Sequence, residues 1–335
     1  MATIRQVSEK AEVSVATVSR VINGSKWVSD TTKEKVLVAM DELGYQPNTF
    51  AQSLATNRSN VIGLVVSDLA GPFFGEMMHS VETKVRSQGK HLVITSGHGN
   101  LEDEREAIQF LLKRRCDALI LHLDAMNDEE IIGLVEAQRT PIIIVNRFIP
   151  EIPRRCVYLD NELGGYLAAK KLISLGHRQM ACVTGPLFKA DARARLMGFR
   201  RALDDAGLVF EESRVVESDF REGGGAAAIE RLCKRNVRFT ALVCCNDLMA
   251  IGAINALKGM GKRVPDDVSV VGYDDVVMSA YLEPGLTTVR VPVADMGQEA
   301  AQLALNLSDQ KNFPINQAFQ PVLMERDSVA GLGVD

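Results

Sequence analysis

The chain has 335 residues, of which 46% are hydrophobic and 24% are charged, with a formal net charge of −5. This composition is typical of folded globular proteins and excludes a chain that is disordered or coiled-coil throughout. Its length predicts two or three domains. The apolar runs are far shorter than the ~20 residues of a membrane-spanning helix, and no export signal opens the sequence. We therefore expect a cytoplasmic protein with no membrane association.

Catalytic and metal-binding motifs are absent from the sequence. The six cysteines lack the Cys-x2-Cys spacing of zinc and redox sites, so we expect reduced, buried thiols. Neither a Gly-x-Ser-x-Gly nor a His-Glu-x-x-His motif occurs. Asp274 and Asp275 would point to opposite faces of a strand and so do not form a glycosidase pair. We expect no catalytic residue, no metal and no cofactor.

The first 45 residues predict three short helices. Thr3 and Gln6 form a capping-box pattern at the start of the first helix. Ser14 caps the second helix, and Ser29 or Asp30 caps a third, longer one. The inward-facing residues of the second helix are Val18, Val21 and Ile22. A tight turn between two short helices, closed by a third helix, is typical of a helix-turn-helix fold.

A short polar segment, residues 48–60, follows the third helix. Its first part, residues 49–55, predicts a helix capped by Asn48. This helix has too little apolar surface to be stable alone, since helices below about 12 residues are marginal in water. We expect it to be ordered only when it docks on another surface.

From residue 61 onward, short apolar strands alternate with amphipathic helices. This alternation predicts parallel, doubly wound α/β sheets with both faces covered. Nine strands before residue 280 are many for one such sheet, so we expect two lobes with a ligand site in the cleft between them. The predicted strands are Val61–Ser67, His91–Ser96, Ala118–Leu123, Ile142–Asn146, Cys156–Asp160, Met180–Gly185, Val215–Ser218, Ala241–Asn246 and Val268–Tyr273.

Four motifs follow one another along the chain and carry a family resemblance. They are Thr3–Asn23, Tyr45–Asn48, Asn246–Ala250 and Val271–Asp275. In this order they resemble the lactose/galactose repressor family of bacterial transcriptional regulators, and the resemblance covers essentially the whole chain. The pair Val15 and Ala16 and the region 97–123 are most similar to the galactose-repressor branch.

The resemblance implies a particular fold and division of the chain. A small all-α helix-turn-helix head would be joined by a hinge helix to a two-lobed α/β domain like the periplasmic binding proteins, with parallel doubly wound sheets. The expected boundaries are 1–47 for the head, 48–60 for the hinge helix and linker, 61–160 plus 290–320 for the N-terminal lobe, and 161–289 plus 321–335 for the C-terminal lobe.

The second helix of the head is expected to lie in the major groove of double-stranded operator DNA. By resemblance, Val15 and Ala16 contact base edges and Arg20 contacts a guanine. The other DNA-facing residues are Ser14, Thr17, Ser19 and Asn23. Hydroxyl and amide groups among them would donate to phosphates and fix the register of the helix on DNA. The alternative is a helical cap whose polar residues are merely solvated.

One residue of the head departs from the family pattern. Glu12 stands in the turn between the first two helices, where the family usually has glycine. We expect Glu12 to adopt a less favourable backbone angle there. It also places a negative charge near DNA, so the head is expected to bind somewhat more weakly.

The segment 48–57 resembles the hinge helix of the family. Leu54 would be the apolar wedge that enters the minor groove and kinks the duplex. Asn48, Ala51 and Gln52 would lie beside it. The alternative is that Leu54 is a small core residue between domains.

Polar residues lie past the ends of the predicted strands and predict a sugar site. They are Asp68, Asn146, Arg195, Asn246 and Asp274. Carboxylate, amide and guanidinium groups can bind pairs of sugar hydroxyls, and the resemblance places effector contacts at the last four. Phe73 or Phe74 could cover the C–H face of a sugar, and His98 faces the same cleft. The alternative, which we favour for Asp275, is that these residues cap helices.

Two further features predict structure rather than chemistry. Gly223–Gly225 opens a helix but lacks the Lys-Ser/Thr of a phosphate-binding loop, so we expect a flexible turn. His177 follows Gly176 after a helix end and is expected to be structural.

These patterns predict a sugar-responsive transcriptional repressor that binds a palindromic operator as a homodimer. Galactose is the first candidate effector, and we expect it to release the operator. A regulator of β-glucoside or β-galactoside use and a corepressor-type regulator remain open. A free sugar-binding protein would lack the head and carry an export signal. The chain ends without the leucine-repeat helix of the family's tetramers, so we expect no such tetramer.

Overall fold

The computed structural model describes residues 2–22, 27–45 and 58–332. Within these ranges the chain forms two compact units, Met1–Ser59 and Asn60–Asp335. The predicted hinge helix and the end of the predicted recognition helix lie outside the described residues.

In the described residues 2–22 and 27–45, the first unit forms the three predicted helices. Its helices are α1 (Ile4–Lys10), α2 (Val15–Ile22) and α3 (Asp30–Glu42). Thr3 and Gln6 form the predicted capping box at the start of α1. Val7, Val18 and Val36 are fully buried between the three helices. Val21 and Ile22 pack against this core, so the predicted inward face of α2 is confirmed.

Glu12 lies in the turn between α1 and α2 and has a φ of 54°. This left-handed conformation is costly for a residue with a Cβ atom, by about 1–2 kcal/mol. The expectation of an unfavourable backbone angle at Glu12 is therefore confirmed. A glycine at this position would adopt the same angle without strain.

The second unit contains the predicted α/β alternation. Its strands are β1 (Val61–Val66), β2 (His91–Ser96), β3 (Ala118–Leu121), β4 (Ile142–Val145), β5 (Cys156–Leu159), β6 (Met180–Thr184), β7 (Val215–Glu217), β8 (Ala241–Cys244), β9 (Ser269–Asp274), β10 (Thr287–Arg290), β11 (Ala318–Phe319) and β12 (Val322–Met324). Its helices are α4 (Pro72–Ser87), α5 (Leu101–Lys113), α6 (Asp128–Ala137), α7 (Asn161–Ser174), α8 (Ala190–Asp205), α9 (Glu222–Lys234), α10 (Asp247–Gly259) and α11 (Val293–Asp309).

The strands form two six-stranded sheets with the same core topology. The first sheet has the order β11-β5-β4-β3-β1-β2 and the second the order β12-β10-β9-β8-β6-β7. All neighbouring strands are parallel except β10 and β12, which are antiparallel. In each sheet the second strand in the chain lies on one side of the first strand, and the third strand lies on the other side. Ligands bind at such a switch point, outside the carboxyl ends of the strands.

The chain passes between the two sheets three times. It leaves the first sheet after β5 and enters α7, which packs against α8 and strands of the second sheet. It returns after β10 through α11, which packs against α4 and strands of the first sheet. The last passage joins β11 to β12. These crossings connect two layered bodies, each with its own sheet.

The glycine run Gly223–Gly225 lies inside α9, so the predicted flexible turn is wrong. A Cβ atom on Gly225 would lie 2.0 Å from the carbonyl oxygen of Met249, and one on Gly224 would lie 1.9 Å from Oδ1 of Asp219. Gly225 therefore allows α9 to pack closely against α10, and Gly224 leaves room for the Asp219 side chain before α9. This packing positions the residues that precede both helices at one edge of the second sheet.

His177 is structural, as predicted. Its Nδ1 lies 2.9 Å from Oγ1 of Thr240, and its Nε2 lies 3.1 Å from Oγ of Ser269 and 3.0 Å from the carbonyl oxygen of Ala330. Burial lowers the pKa of His177.

All six cysteines are free thiols, as predicted. Five of them are buried, also as predicted, and Cys233 is exposed.

Asp247, the first residue of α10, holds the segment that follows β9. Its Oδ2 accepts hydrogen bonds from the Val276 N–H at 2.9 Å and the Ser279 hydroxyl at 2.6 Å. Its Oδ1 accepts from the Thr288 hydroxyl at 2.5 Å. Burial outweighs these donors and raises the pKa of Asp247 to about 6. The carboxyl group is therefore more easily protonated in the folded chain than in the unfolded chain.

Replacing Asp247 with asparagine should change how stability depends on pH. Because the folded pKa of Asp247 is raised, its stabilising contribution is complete below the unfolded pKa and is lost as the pH rises through about 6. An asparagine side chain at this position would stay neutral at every pH. Between about pH 4.5 and about pH 7.5, D247N should gain on the order of 2 kcal/mol in unfolding free energy relative to the unmodified chain. Denaturant titrations at both pH values measure this difference, and parallel pH profiles for the two chains would contradict it.

Candidate functional site

A cavity of about 540 Å³ opens between the two sheets, at the carboxyl ends of their strands. Its size is typical of a site for a small ligand. The wall is built from the segments that follow strands of both sheets. The predicted effector residues on this wall are Asp68, Phe73, Phe74, His98, Arg195, Asn246 and Asp274.

Asn146, the remaining predicted effector residue, lies behind the wall rather than on it. It follows β4 with a φ of 63° and is buried. Its Nδ2 lies 3.4 Å from Nε2 of His122, and its Oδ1 accepts a hydrogen bond from Nδ2 of Asn161 at 3.3 Å. Because these neighbours occupy both ends of its amide, Asn146 orients His122 and joins the first sheet to the start of α7.

Arg195, on α8, is the central side chain of the cavity floor and is only 3% exposed. Its Nε donates to Oδ1 of Asn161 at 2.9 Å, and its Nη1 donates to the carbonyl oxygen of Cys245 at 2.5 Å. The guanidinium stacks on the Tyr273 ring, 3.8 Å from the ring centroid. This planar group is thus fixed in one orientation at the cavity.

Two carboxylates compensate the buried charge of Arg195. Asp191 and Asp274 each lie 3.5 Å from its guanidinium nitrogens. Burial opposes the charge, but these two carboxylates hold the pKa of Arg195 above its ordinary value. For Asp274 itself, burial raises the pKa well above its usual range, while Arg195 acts in the opposite direction. Burial therefore opposes the ionised form of Asp274, and the adjacent guanidinium of Arg195 favours it.

Asn246 combines the two roles proposed for it. Its Oδ1 accepts from the Met249 N–H at 2.9 Å, which caps α10, and its Nδ2 donates to the carbonyl oxygen of Phe220 at 2.8 Å. The same residue lies on the cavity wall. Asp275 instead pairs with Arg290 at 2.7 Å and with Arg326 at 2.6 Å. It is therefore structural, but through ion pairs and not through the helix cap that was expected.

An aromatic cluster forms one side of the cavity. The rings of Phe73 and Phe74 meet edge to face, with centroids 5.2 Å apart. His122 lies against Phe74 at 5.1 Å, and its Nδ1 is 3.0 Å from the hydroxyl oxygen of Ser67. His122 directly follows β3, but the predicted strand Ala118–Leu123 placed it inside a strand, so the strand-end rule did not select it.

Two ion pairs bridge the cavity from one sheet to the other. Asp124 and Lys189 lie 2.7 Å apart, and Asp68 and Arg221 lie 2.8 Å apart. Burial raises the pKa of Asp124, but electrostatic interactions with His122 and Lys189 outweigh this effect and hold the pKa below its ordinary value. Of these four residues the sequence patterns selected only Asp68, because the pairings join residues that are distant in the chain and become neighbours only in the fold. The missed residues of the wall include His122, Asp124, Lys189, Asp191, Phe220 and Arg221.

In the head, α2 presents an outer face of mostly exposed residues. Ser14, Val15, Ala16 and Arg20 are exposed, while Thr17 and Ser19 are half-buried. The hydroxyl oxygen of Ser14 accepts a hydrogen bond from the Thr17 N–H at 3.1 Å and so caps the helix. The predicted DNA-binding residues that lie outside the described residues are Asn23, Asn48, Ala51 and Leu54.

Neither membrane nor metal features emerge in the part of the chain that the structure describes. Within residues 2–22, 27–45 and 58–332, none of the helices combines the length and apolar character needed to cross a bilayer. The same ranges contain no group of three histidine, cysteine or acidic side chains placed to hold a metal ion.

Two family descriptions match the two units. Residues 3–48 match the bacterial regulatory proteins of the lacI family, and residues 169–329 match a periplasmic binding protein-like domain. Among solved structures, the lac repressor dimer bound to operator and the anti-inducer ONPF has a TM-score of 0.87 and 31% identity, covering 98% of this chain and 99% of that one. A complex of the transcriptional regulator CelR with cellobiose has a TM-score of 0.72 and 32% identity, covering 98% of this chain and 100% of that one.

Curated relatives match over nearly the whole length. The HTH-type transcriptional regulator GalR of Escherichia coli (strain K12) is 40% identical over 331 residues, which are 98% of this chain and 96% of that protein. The HTH-type transcriptional repressor PurR of Aliivibrio fischeri is 37% identical over 334 residues, with 98% and 99% covered. These relatives are transcriptional regulators rather than enzymes. The chain accordingly belongs to the lacI family of bacterial regulatory proteins.

Proposed function

We propose that this protein is a dimeric repressor that binds a palindromic operator and releases it when an uncharged sugar enters the cleft. The observation that carries the proposal is the cleft itself, where Arg195, Asn246 and Asp274 present fixed donors and acceptors beside an aromatic wall. Phe73 and Phe74 supply the apolar face that the C–H surface of a sugar requires. Galactose is the first candidate, since the chain is 40% identical to GalR.

The charges of the cleft favour a neutral ligand over a sugar phosphate. On the described wall, each lysine and arginine already has a carboxylate partner: Lys189 pairs with Asp124, Arg221 with Asp68, and Arg195 lies between two carboxylates. At Lys189 and Arg195, a phosphate would have to displace a carboxylate that is largely buried, and leaving that carboxylate without a partner is costly. Hydroxyl groups can instead donate to the carboxylates and accept from the cations without separating the pairs.

We propose that each sheet defines one lobe of the effector domain. The N-terminal lobe comprises residues 61–160 and 290–320, and the C-terminal lobe comprises residues 161–289 and 321–335. The sheet membership of β1–β5 and β11, and of β6–β10 and β12, supports this division. The segment 1–47 is then the DNA-binding head, the segment 48–60 is the hinge, and the protein acts in the cytoplasm at its operator.

Two alternatives concern the ligand and the sign of the response. The likeness to a regulator bound to cellobiose favours a β-glucoside as the second candidate effector. The 37% identity to the repressor PurR keeps a corepressor open, which would tighten operator binding instead of weakening it. Both alternatives place the ligand in the same cleft, and one titration of the operator complex with each ligand distinguishes them.

The proposal predicts that a free sugar weakens the operator complex. The operator can be selected with the full-length dimer from a library of randomised palindromic duplexes. Gel-shift titrations at one fixed salt concentration would then compare galactose, cellobiose, galactose 1-phosphate and a purine base. Galactose should weaken binding by about 5- to 150-fold, as coupling of about 1–3 kcal/mol implies. Release by the phosphate alone would contradict the neutral-ligand argument, and tightening by any compound would reverse the proposed sign.

Replacing Arg195 with lysine tests the cleft floor. Lysine keeps the positive charge between Asp191 and Asp274 but lacks the planar fork that binds paired hydroxyls. R195K should require at least about tenfold more sugar for release, while its operator affinity without sugar stays unchanged. A gel-shift titration measures both quantities. Loss of operator binding without sugar, together with a lowered unfolding midpoint, would show that Arg195 is only structural.

Replacing Arg20 with alanine tests the recognition helix. Arg20 is exposed on α2 at the position where a guanine contact is proposed. R20A should lose about 1–3 kcal/mol of specific operator binding and relax selection at one base pair of each half-site. Arg5, which is 84% exposed on α1, provides a control for the loss of one positive charge. Equal losses for R20A and R5A on operator and on random DNA would contradict base recognition by Arg20.

A further inference from the structure

A buried carboxylate accepts hydrogen bonds from the backbone of the loop that follows β3 and fixes that loop. Glu104, on α5, is 1% exposed. Its Oε1 accepts hydrogen bonds from the backbone N–H groups of Asp124 at 2.7 Å and Ala125 at 2.9 Å, and its Oε2 accepts from Met126 at 2.8 Å. Hydrogen bonds to an ionised acceptor are about twice as strong as neutral ones. Three of them hold residues 124–126 in one backbone conformation.

The chain makes room for this carboxylate at Gly97. A Cβ atom at Gly97 would lie 2.6 Å from Cγ of Glu104 and 3.2 Å from its Cα atom. Only glycine lets the segment after β2 approach α5 so closely. The Glu104 side chain is therefore confined between the segments after β2 and β3, and it cannot swing away from the loop.

The fixed loop presents one carboxylate to the opposite sheet. The side chain of Asp124 is 5% exposed and lies 2.7 Å from Nζ of Lys189, whose side chain is 18% exposed. Lys189 directly precedes α8 in the other lobe, and its ammonium lies 5.6 Å from the centre of the Phe220 ring. The two charges belong to different lobes and are shielded from water by the cavity wall.

From this geometry we propose that Asp124 and Lys189 form a latch that holds the two lobes closed before any effector binds, with Glu104 as the positioning residue of the latch. Because Asp124 is already fixed by its loop, only the lysine side chain loses freedom when the pair forms, so the ordering cost is small. Removing one partner leaves a buried charge uncompensated. That charge regains water only if the lobes move apart.

A second pair, Asp68 and Arg221, marks the outer edge of the same cleft. Its side chains are 37% and 67% exposed. Water screens such a pair, and exposed ion pairs contribute little to stability. The outer pair therefore provides a matched control that also spans the cleft but lacks the buried, fixed partner.

Hydrogen exchange of the full-length protein without added sugar tests the latch. The variants are K189M and D124N, which remove one charge each, and K189R, which keeps the cation. In K189M and D124N, amide exchange in the cleft-facing segments 187–195 and 219–224 should rise roughly tenfold, as expected when a closed state becomes less populated. K189R should exchange like the unmodified chain, and R221M should differ from it by less than about threefold. Because no effector is added, the result does not depend on which sugar the protein binds.

Two outcomes would overturn the latch. Unchanged exchange in both K189M and D124N would show that other contacts keep the lobes together. A rise that includes the outer helix α6, together with a lowered unfolding midpoint, would show that the pair stabilises the fold as a whole. E104Q provides a further check, since an amide cannot accept on both sides. This variant should raise exchange at residues 124–126 and in segment 187–195 while leaving α6 unchanged.

Discussion

The buried guanidinium of Arg195 is the interaction on which the arrangement of the cleft depends. A cation this deep in the protein is stable only where carboxylates and carbonyl oxygens compensate it. Here the partners come from several elements: Asn161 at the start of α7, Cys245 after β8, and the carboxylates of Asp191 and Asp274. Fixing one side chain thus fixes the relative positions of the elements that line the cavity floor.

Two sheets with the same strand order bring their carboxyl ends to this cavity. Buried apolar residues of both sheets belong to one cluster, so the cost of changing their relative orientation lies in the contacts between them. The polar contacts that link the two sides include the His122–Asn146–Asn161 chain and two ion pairs. A ligand that binds both sides adds to them, and this is how binding energy can select one orientation.

Sequence patterns predicted the layers well because burial leaves a local signature. Continuous apolar runs located the strands from β1 to β9, and polar residues after strand ends located Asp68, Asn246 and Asp274 on the cavity wall. The short strands β10, β11 and β12 were missed because they lack such runs. Asn146 was placed on the wall by resemblance, but its φ of 63° and its bond to His122 set it behind the wall.

Other features depend on contacts that no local pattern contains. The run Gly223–Gly225 was predicted as a flexible turn because the sequence does not show the helix contact that requires glycine. In the structure, the backbone of Met249 lies where a Cβ atom of Gly225 would be. Likewise, Asp124 and Lys189 are 65 positions apart in the sequence, and only the packing of the two lobes makes them partners. No local pattern distinguishes Glu104 from other helix residues, because its three backbone donors come from residues 124–126.

In the proposed function, sugar binding in the cleft is coupled to operator binding by the head. Coupling between two binding sites is reciprocal. Calorimetric titration of the sugar into the full-length dimer, free and saturated with its operator, tests this claim most directly. Operator should weaken sugar binding by the same factor by which sugar weakens operator binding. Equal sugar affinities in the two titrations would show that the cleft does not regulate the head.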